Sequence, residues 1–195
     1  MKLGLTRLAL AVPWLFAAGS AAAHTGHATA GGFGAGFVHP LFGIDHIVAM
    51  VAVGLWAAQL GGRALWLLPA SFLGVMLFGG GLGVAGVALP AVELGIVGSV
   101  ILLGVIIALN AQIDVPFGMM IVGLMALFHG FAHGAEIPTG AGAMLYCFGF
   151  TLATAGLHAA GVGLGLMLQS RLAETALRAA GGLVAAFGVA MFAVA

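Results

Sequence analysis

Charge is nearly absent from this chain: five basic and five acidic residues in 195, against 63% hydrophobic residues. The mean hydropathy is +1.26. Soluble domains carry about 25% charged residues, and ten charges cannot clothe a water-facing surface, so the solvent is lipid. A net charge of zero removes the basic footprint that nucleic-acid binding needs. The one cysteine, Cys147, excludes an intrachain disulfide and reads as a small packing residue in an apolar run. No GxSxG, Walker or dinucleotide motif accompanies the charged and histidine residues. What is plentiful is glycine, 34 residues, which lets membrane helices approach one another closely.

The first 23 residues read as a secretory signal peptide. Lys2 and Arg7 supply the positive start, Leu8 to Ala18 the apolar run, and Ala21-Ala22-Ala23 the small-residue cleavage site. Cleavage after Ala23 makes His24 the mature N-terminus. The competing reading, an uncleaved spanning helix, is disfavoured by so short an apolar run. Residues 24–195 are expected to form one all-α membrane protein, a compact bundle of six transmembrane helices. The spans are Ile44 to Leu60, Ala64 to Ala88, Ala91 to Leu109, Pro116 to His133, Ala143 to Leu168 and Thr175 to Val194. Pro40, Pro90 and Pro116 stand where a helix can begin. Asp114 suits an N-cap, Glu93 complements a helix dipole, and Arg171, Glu174 and Arg178 have the spacing of a solvated helical pairing. The Gly79 to Gly83 run has no basic residue to cradle phosphate and reads as a helix-packing surface.

Orientation follows from the basic residues. With the mature N-terminus outside, Arg63 and the Arg171 to Arg178 segment fall in the cytoplasm, and every basic residue obeys the positive-inside rule. The expected location is the bacterial inner membrane, with both mature termini periplasmic.

Four of the seven histidines lie in two short stretches, His39-Pro40-Leu41-Phe42-Gly43-Ile44-Asp45-His46 and His129-Gly130-Phe131-Ala132-His133-Gly134-Ala135-Glu136. Ionisable groups in hydrocarbon are expensive and mark function, and imidazole with carboxylate is the material of transition-metal sites. His129 and His133, four apart, share a helix face at roughly 6 Å, the spacing of chelating histidine pairs. Glu136, three further on, returns to that face as ligand or as hydrogen-bond acceptor for one. His39 and His46, seven apart, would stand about 10 Å apart on a straight helix. Pro40 and Gly43 suggest a helix start or bend that closes the gap. Asp45 is a ligand or fixes a ligand histidine's tautomer, while Met50 reads as packing. The first stretch enters its span from outside and the second leaves on the same side, so a single site would lie in the outer half of the membrane. The competing reading for all of these is interhelical hydrogen bonding. His158, inside the fifth span, is either such a bond or a relay deeper in the path. His24 and His27 are either an ion-capture point or a solvated tail.

At these residues the chain resembles the HupE/UreJ family of nickel permeases. The resemblance runs from the secretory signal and His24 through six spans. Its most specific parts are His39-Pro40 through Asp45-His46 and Met50, and Phe128-His129 through Ala135-Glu136. Gly149-Phe150 through Ala153-Thr154 to His158 fits the family pattern as well. It implies uptake of nickel, or cobalt, for hydrogenase, urease or cobalamin metabolism. The larger nickel/cobalt transporter family has four residues between histidine and Asp-His. Here five intervene, Pro40 to Ile44, so that family's ligand geometry does not transfer.

The expected function is therefore a permease and not an enzyme. Its metal contacts are drawn from His39, Asp45, His46, His129, His133 and Glu136, with His24, His27 and His158 as further candidates. Nickel or cobalt is cargo and no resident cofactor is expected. The partners are the ion, the bilayer and a cytoplasmic metal chaperone, with no nucleic acid. Two other classes use the same residues. A membrane metalloenzyme would bind water at an open metal position, and a metal sensor or assembly protein would bind without flux.

Overall fold

The computed structural model describes residues 32–137, 142–168 and 171–194. The signal segment, His24 and His27 lie outside the described residues. All regular elements among the described residues are helical. A short helix α1 (Phe33–Val38) runs into a 3-10 turn (His39–Leu41). Then follow α2 (Ile44–Leu60), α3 (Ala64–Val84), α4 (Val92–Ala108), α5 (Val115–Glu136), α6 (Ala143–Met167) and α7 (Arg171–Val194).

The six apolar runs thus become α2 to α7, with shifted ends. α3 stops at Val84 rather than Ala88, α7 starts at Arg171 rather than Thr175, and α5 continues past His133 to Glu136. α1 was not expected. Four segments are long and apolar enough to cross a membrane: Ala64–Val84, Val115–Glu136, Ala143–Met167 and Glu174–Ala193. A fifth is the pair Phe33–Leu41 and Ile44–Leu60, bent by 81° at the break. α4 is apolar but has only 17 residues, about 25 Å of helix at 1.5 Å per residue. Outward-facing residues are themselves apolar, among them Phe78, Phe117, Leu124, Leu152 and Leu183, whereas His129, His133, Thr154 and His158 are buried. Polar inside and apolar outside is the arrangement lipid demands.

Three helix pairs carry the packing, each along a glycine seam. Gly161 of α6 lies against Val51 of α2 and Gly165 against Ala58, so the two helices run parallel. Gly130 of α5 lies against Met76 of α3 and Gly134 against Gly80, again parallel. Gly104 of α4 meets Ala185 of α7 and Gly188 meets Ile101, so this pair is antiparallel. At each of these glycines a Cβ would overlap atoms of the facing helix. With little hydrophobic drive between helices in lipid, such close contact supplies the packing energy. The glycines of the Gly79 to Gly83 run have the packing role expected of them: Gly79 and Gly83 lie on the α5 backbone at Leu127 and Phe131.

Two expectations about charged residues change. Asp114 occupies the N-cap of α5, but its side chain caps no backbone N–H. The second helical residue is Pro116, which removes one of the two N–H donors that a capping carboxylate can use. Arg178 and Glu174 turn to α4 instead of pairing along α7. Arg178 Nε donates to the Ala108 carbonyl at 2.9 Å, and Glu174 accepts from Asn110 Nδ2 at 3.2 Å. The first satisfies a carbonyl at the end of α4, where carbonyls lack helical partners, and the second ties α7 to the turn just beyond it. Glu93 lies in the first turn of α4, as its charge suggested.

Candidate metal site

The bend between the 3-10 turn and α2 assembles the first stretch. Pro40 sits in the turn, and Gly43 takes an extended conformation (φ −86°, ψ 111°) as the N-cap of α2. A Cβ at Gly43 would lie 2.6 Å from His46 Nδ1 and 2.9 Å from Asp45 Oδ1. Glycine is therefore what lets Asp45 and His46 fold back over the helix start. His39 and His46, too far apart on a straight helix, both reach His133. The His39 and His133 rings are 4.8 Å apart between centroids, and the His46 and His133 rings 4.3 Å.

α5 supplies the second stretch on one continuous helix, with His129 and His133 on its inner face. His46 and His133 meet through their Nε2 atoms, and the His46 ring lies 5.6 Å from that of His129. His39, His133 and Glu136 each present a ligand atom, all within 4.8 Å of one another. Ligand atoms at about 2.1 Å from a metal stand at most about 4.2 Å apart, so a small side-chain adjustment closes this triad on an ion.

Hydrogen bonds orient the imidazoles as metal ligands require. His46 Nδ1–H donates to the Asp45 carboxylate at 2.9 Å, which leaves Nε2 with its lone pair. His129 Nδ1–H donates to the Met125 carbonyl at 3.1 Å. Its Nε2 is buried without a partner, as is His133 Nδ1. An unpaired buried polar atom costs about 1–3 kcal/mol, a burden with no structural return at either histidine.

Burial is graded through the cluster. Glu136 is exposed and His39 half-buried, whereas His133 is 7% exposed and His129 0%. Beside His133 a largely apolar groove of about 250 Å³ opens between α3, α5 and α6. The ring of Phe150 on α6 closes the cluster, 4.6 Å from His133 and 5.9 Å from His39, and Tyr146 lies 5.8 Å from His39.

The two stretches therefore converge: His39, Asp45, His46, His129, His133 and Glu136 form one continuous group. His158 does not join it. It lies deeper, on α6, with its ring 5.0 Å from Phe72. Met50 is wholly buried and packs in the core.

The profile describing "HupE / UreJ protein" matches residues 11–191. The chain belongs to the HupE/UreJ family. Among members of that family, it is 45% identical to Protein HupE of Rhizobium leguminosarum bv. viciae over 191 residues, covering 97% of this chain and 96% of the relative. No solved structure matches. In this chain the geometry above places the His-to-Asp-His stretch and the histidine-rich end of α5 in direct contact.

Sequence reading missed α1 and the aromatic wall. The four-residue spacing of Phe33 and Phe37 was a helix signal, and Gly36 and Gly149 were available as its contact points with α6. Gly36 lies on the Tyr146 backbone and Gly149 on that of Phe33. That contact is what holds His39 over His133.

Proposed function

We propose that this protein is a permease that admits a divalent transition metal, nickel or cobalt, through the six-helix bundle. The supporting observation is the convergence of His39, Asp45, His46, His129, His133 and Glu136, graded from exposed carboxylate to fully buried imidazole. Such a gradient lets a hydrated ion exchange water for nitrogen in steps. Glu136 and His39 receive it, and His46, His133 and His129 hold it. Asp45 holds His46 in the metal-binding tautomer. Crossing inward at 100 mV gains a divalent ion roughly 4–5 kcal/mol, twice the single-charge value, so entry needs no coupled ion. His24 and His27 offer capture outside, and a cytoplasmic chaperone removes the ion inside.

In this reading α2 and α4, at 17 residues each, are the shortest spans, at the low end of the crossing range. Arg63, between α2 and α3, and Arg178 are at the end opposite the cluster. The positive-inside rule then makes the cluster end periplasmic, in a bacterial inner membrane. Reporter fusions after Arg63 should report cytoplasm, and fusions at Thr139 periplasm. The reverse pattern would put the cluster on the wrong side for uptake.

Selectivity follows from the donors. Imidazole suits nickel, copper, zinc and cobalt, whereas magnesium and calcium want oxygen. Nickel uptake into proteoliposomes should fall on addition of equimolar cobalt and stay within about 10% under excess magnesium. Inhibition by equimolar magnesium would show an oxygen-dominated site and sink this reading. Metal binding with no flux into sealed vesicles would favour the sensor or enzyme classes instead.

A further inference from the structure

The cluster accounts for His129 and His133 but not for the polar atoms buried beyond them. Among the described residues, the other buried side-chain nitrogens and oxygens without a partner are Thr154 Oγ1, both ring nitrogens of His158, Trp56 Nε1 and Gln59 Oε1. They lie on two helices only, α2 and α6, which are the parallel pair. Thr154 and His158 are four apart and share one face of α6; they are 0% and 1% exposed. His158 is level with Gly54, whose Cβ would overlap the His158 carbonyl. Gly54 is eight residues past His46, about 12 Å further along the α2 axis. Trp56 and Gln59 continue in the same direction, toward the end that carries Arg63. One ring joins the two levels: Phe72 of α3, wholly buried, lies 5.9 Å from His129 and 5.0 Å from His158.

We infer that His158 and Thr154 form a second, inner station for the metal ion, separated from the histidine cluster by the Phe72 ring. The inference rests on the permease reading. An imidazole with two free ring nitrogens and a free hydroxyl gives a divalent transition ion one nitrogen and one oxygen ligand, fewer than the cluster offers. Binding there is weaker, as a station that must release its ion toward the far end requires. A purely structural histidine would hydrogen-bond a neighbouring helix, and neither ring nitrogen of His158 does. Trp56 Nε1–H and Gln59 Oε1 extend the polar file and offer a donor and an acceptor to the water the ion regains on leaving.

The test separates the station from the cluster. In His158→Leu, purified protein should bind NiCl2 in equilibrium dialysis within threefold of the parent. It should melt at the same or a higher temperature, because an unsatisfied buried group is gone. Nickel flux into proteoliposomes should nevertheless fall at least tenfold. A smaller fall overturns the station while leaving the cluster intact, whereas nickel binding without flux in the parent protein would overturn the permease reading itself. Should His158→Leu not fold, His158→Cys in a Cys147→Ser background decides. Saturating CoCl2 should then produce thiolate-to-cobalt charge-transfer absorption, absent from Cys147→Ser alone, and its absence overturns the station.

Discussion

His133→Ala should lose nickel uptake by at least about 100-fold, and His46→Ala by a comparable factor. Removing a group that merely orients a metal ligand costs about 10–100-fold, and a lost ligand costs at least the upper value. The double variant tests the contact most sharply. His46 and His133 meet through Nε2, and groups in one network do not contribute independently. The double variant should therefore be within about threefold of the worse single one, where independent sites would multiply to roughly 10⁴-fold. A multiplicative loss in vesicle uptake would mean two separate stops rather than one site.

The second large effect concerns packing. In Gly130→Leu the Cβ would occupy the place of the Met76 carbonyl oxygen, so α3 and α5 must separate. Overpacking costs about 1–3 kcal/mol where side chains can give; here the obstacle is backbone, and the loss should exceed that range. Because His129 and His133 flank Gly130, metal binding should fail together with stability. Gly163→Ala is the control: a Cβ there meets nothing within 4 Å. It should leave stability unchanged or raise it by up to about 1 kcal/mol, the helix preference of alanine over glycine. Thermal unfolding in detergent reads both, and equal losses would refute the glycine-seam account.

Most of the histidine cluster's geometry was legible in the sequence spacing. His129, His133 and Glu136 are on one helix as their spacing implied, and the gap between His39 and His46 closes through the bend that Pro40 and Gly43 announced. The helices themselves were legible because lipid demands long apolar runs, but their ends were less so. Val84 to Ala88 is as apolar as the helix before it, and α3 stops where Gly86 turns to positive φ, a choice hydropathy does not encode. Pairing was illegible for a related reason. With apolar residues on every face, no amphipathic stripe marks the partner, and only the glycines do so once the facing helix is known. Phe72 escaped notice, and Phe150 was seen only as part of the Gly149 to His158 stretch, because an aromatic residue in an apolar run looks like any other core residue.

The parallel pairing of α2 with α6 and α3 with α5 also bears on how the chain is made. His46 leaves the ribosome 87 residues ahead of His133, which at 5–20 residues per second is roughly 4–17 s of synthesis. The glycine seam of α2 waits longer still, from Gly54 to Gly161, and that of α3 a shorter time, from Met76 to Gly130. For that interval the early helices have only each other, with an acid and an imidazole at their margin and neither final neighbour yet made. A nascent chain halted before α5 would present bare glycine grooves and unpaired polar groups to lipid, exposures that only the second half of the chain can cover.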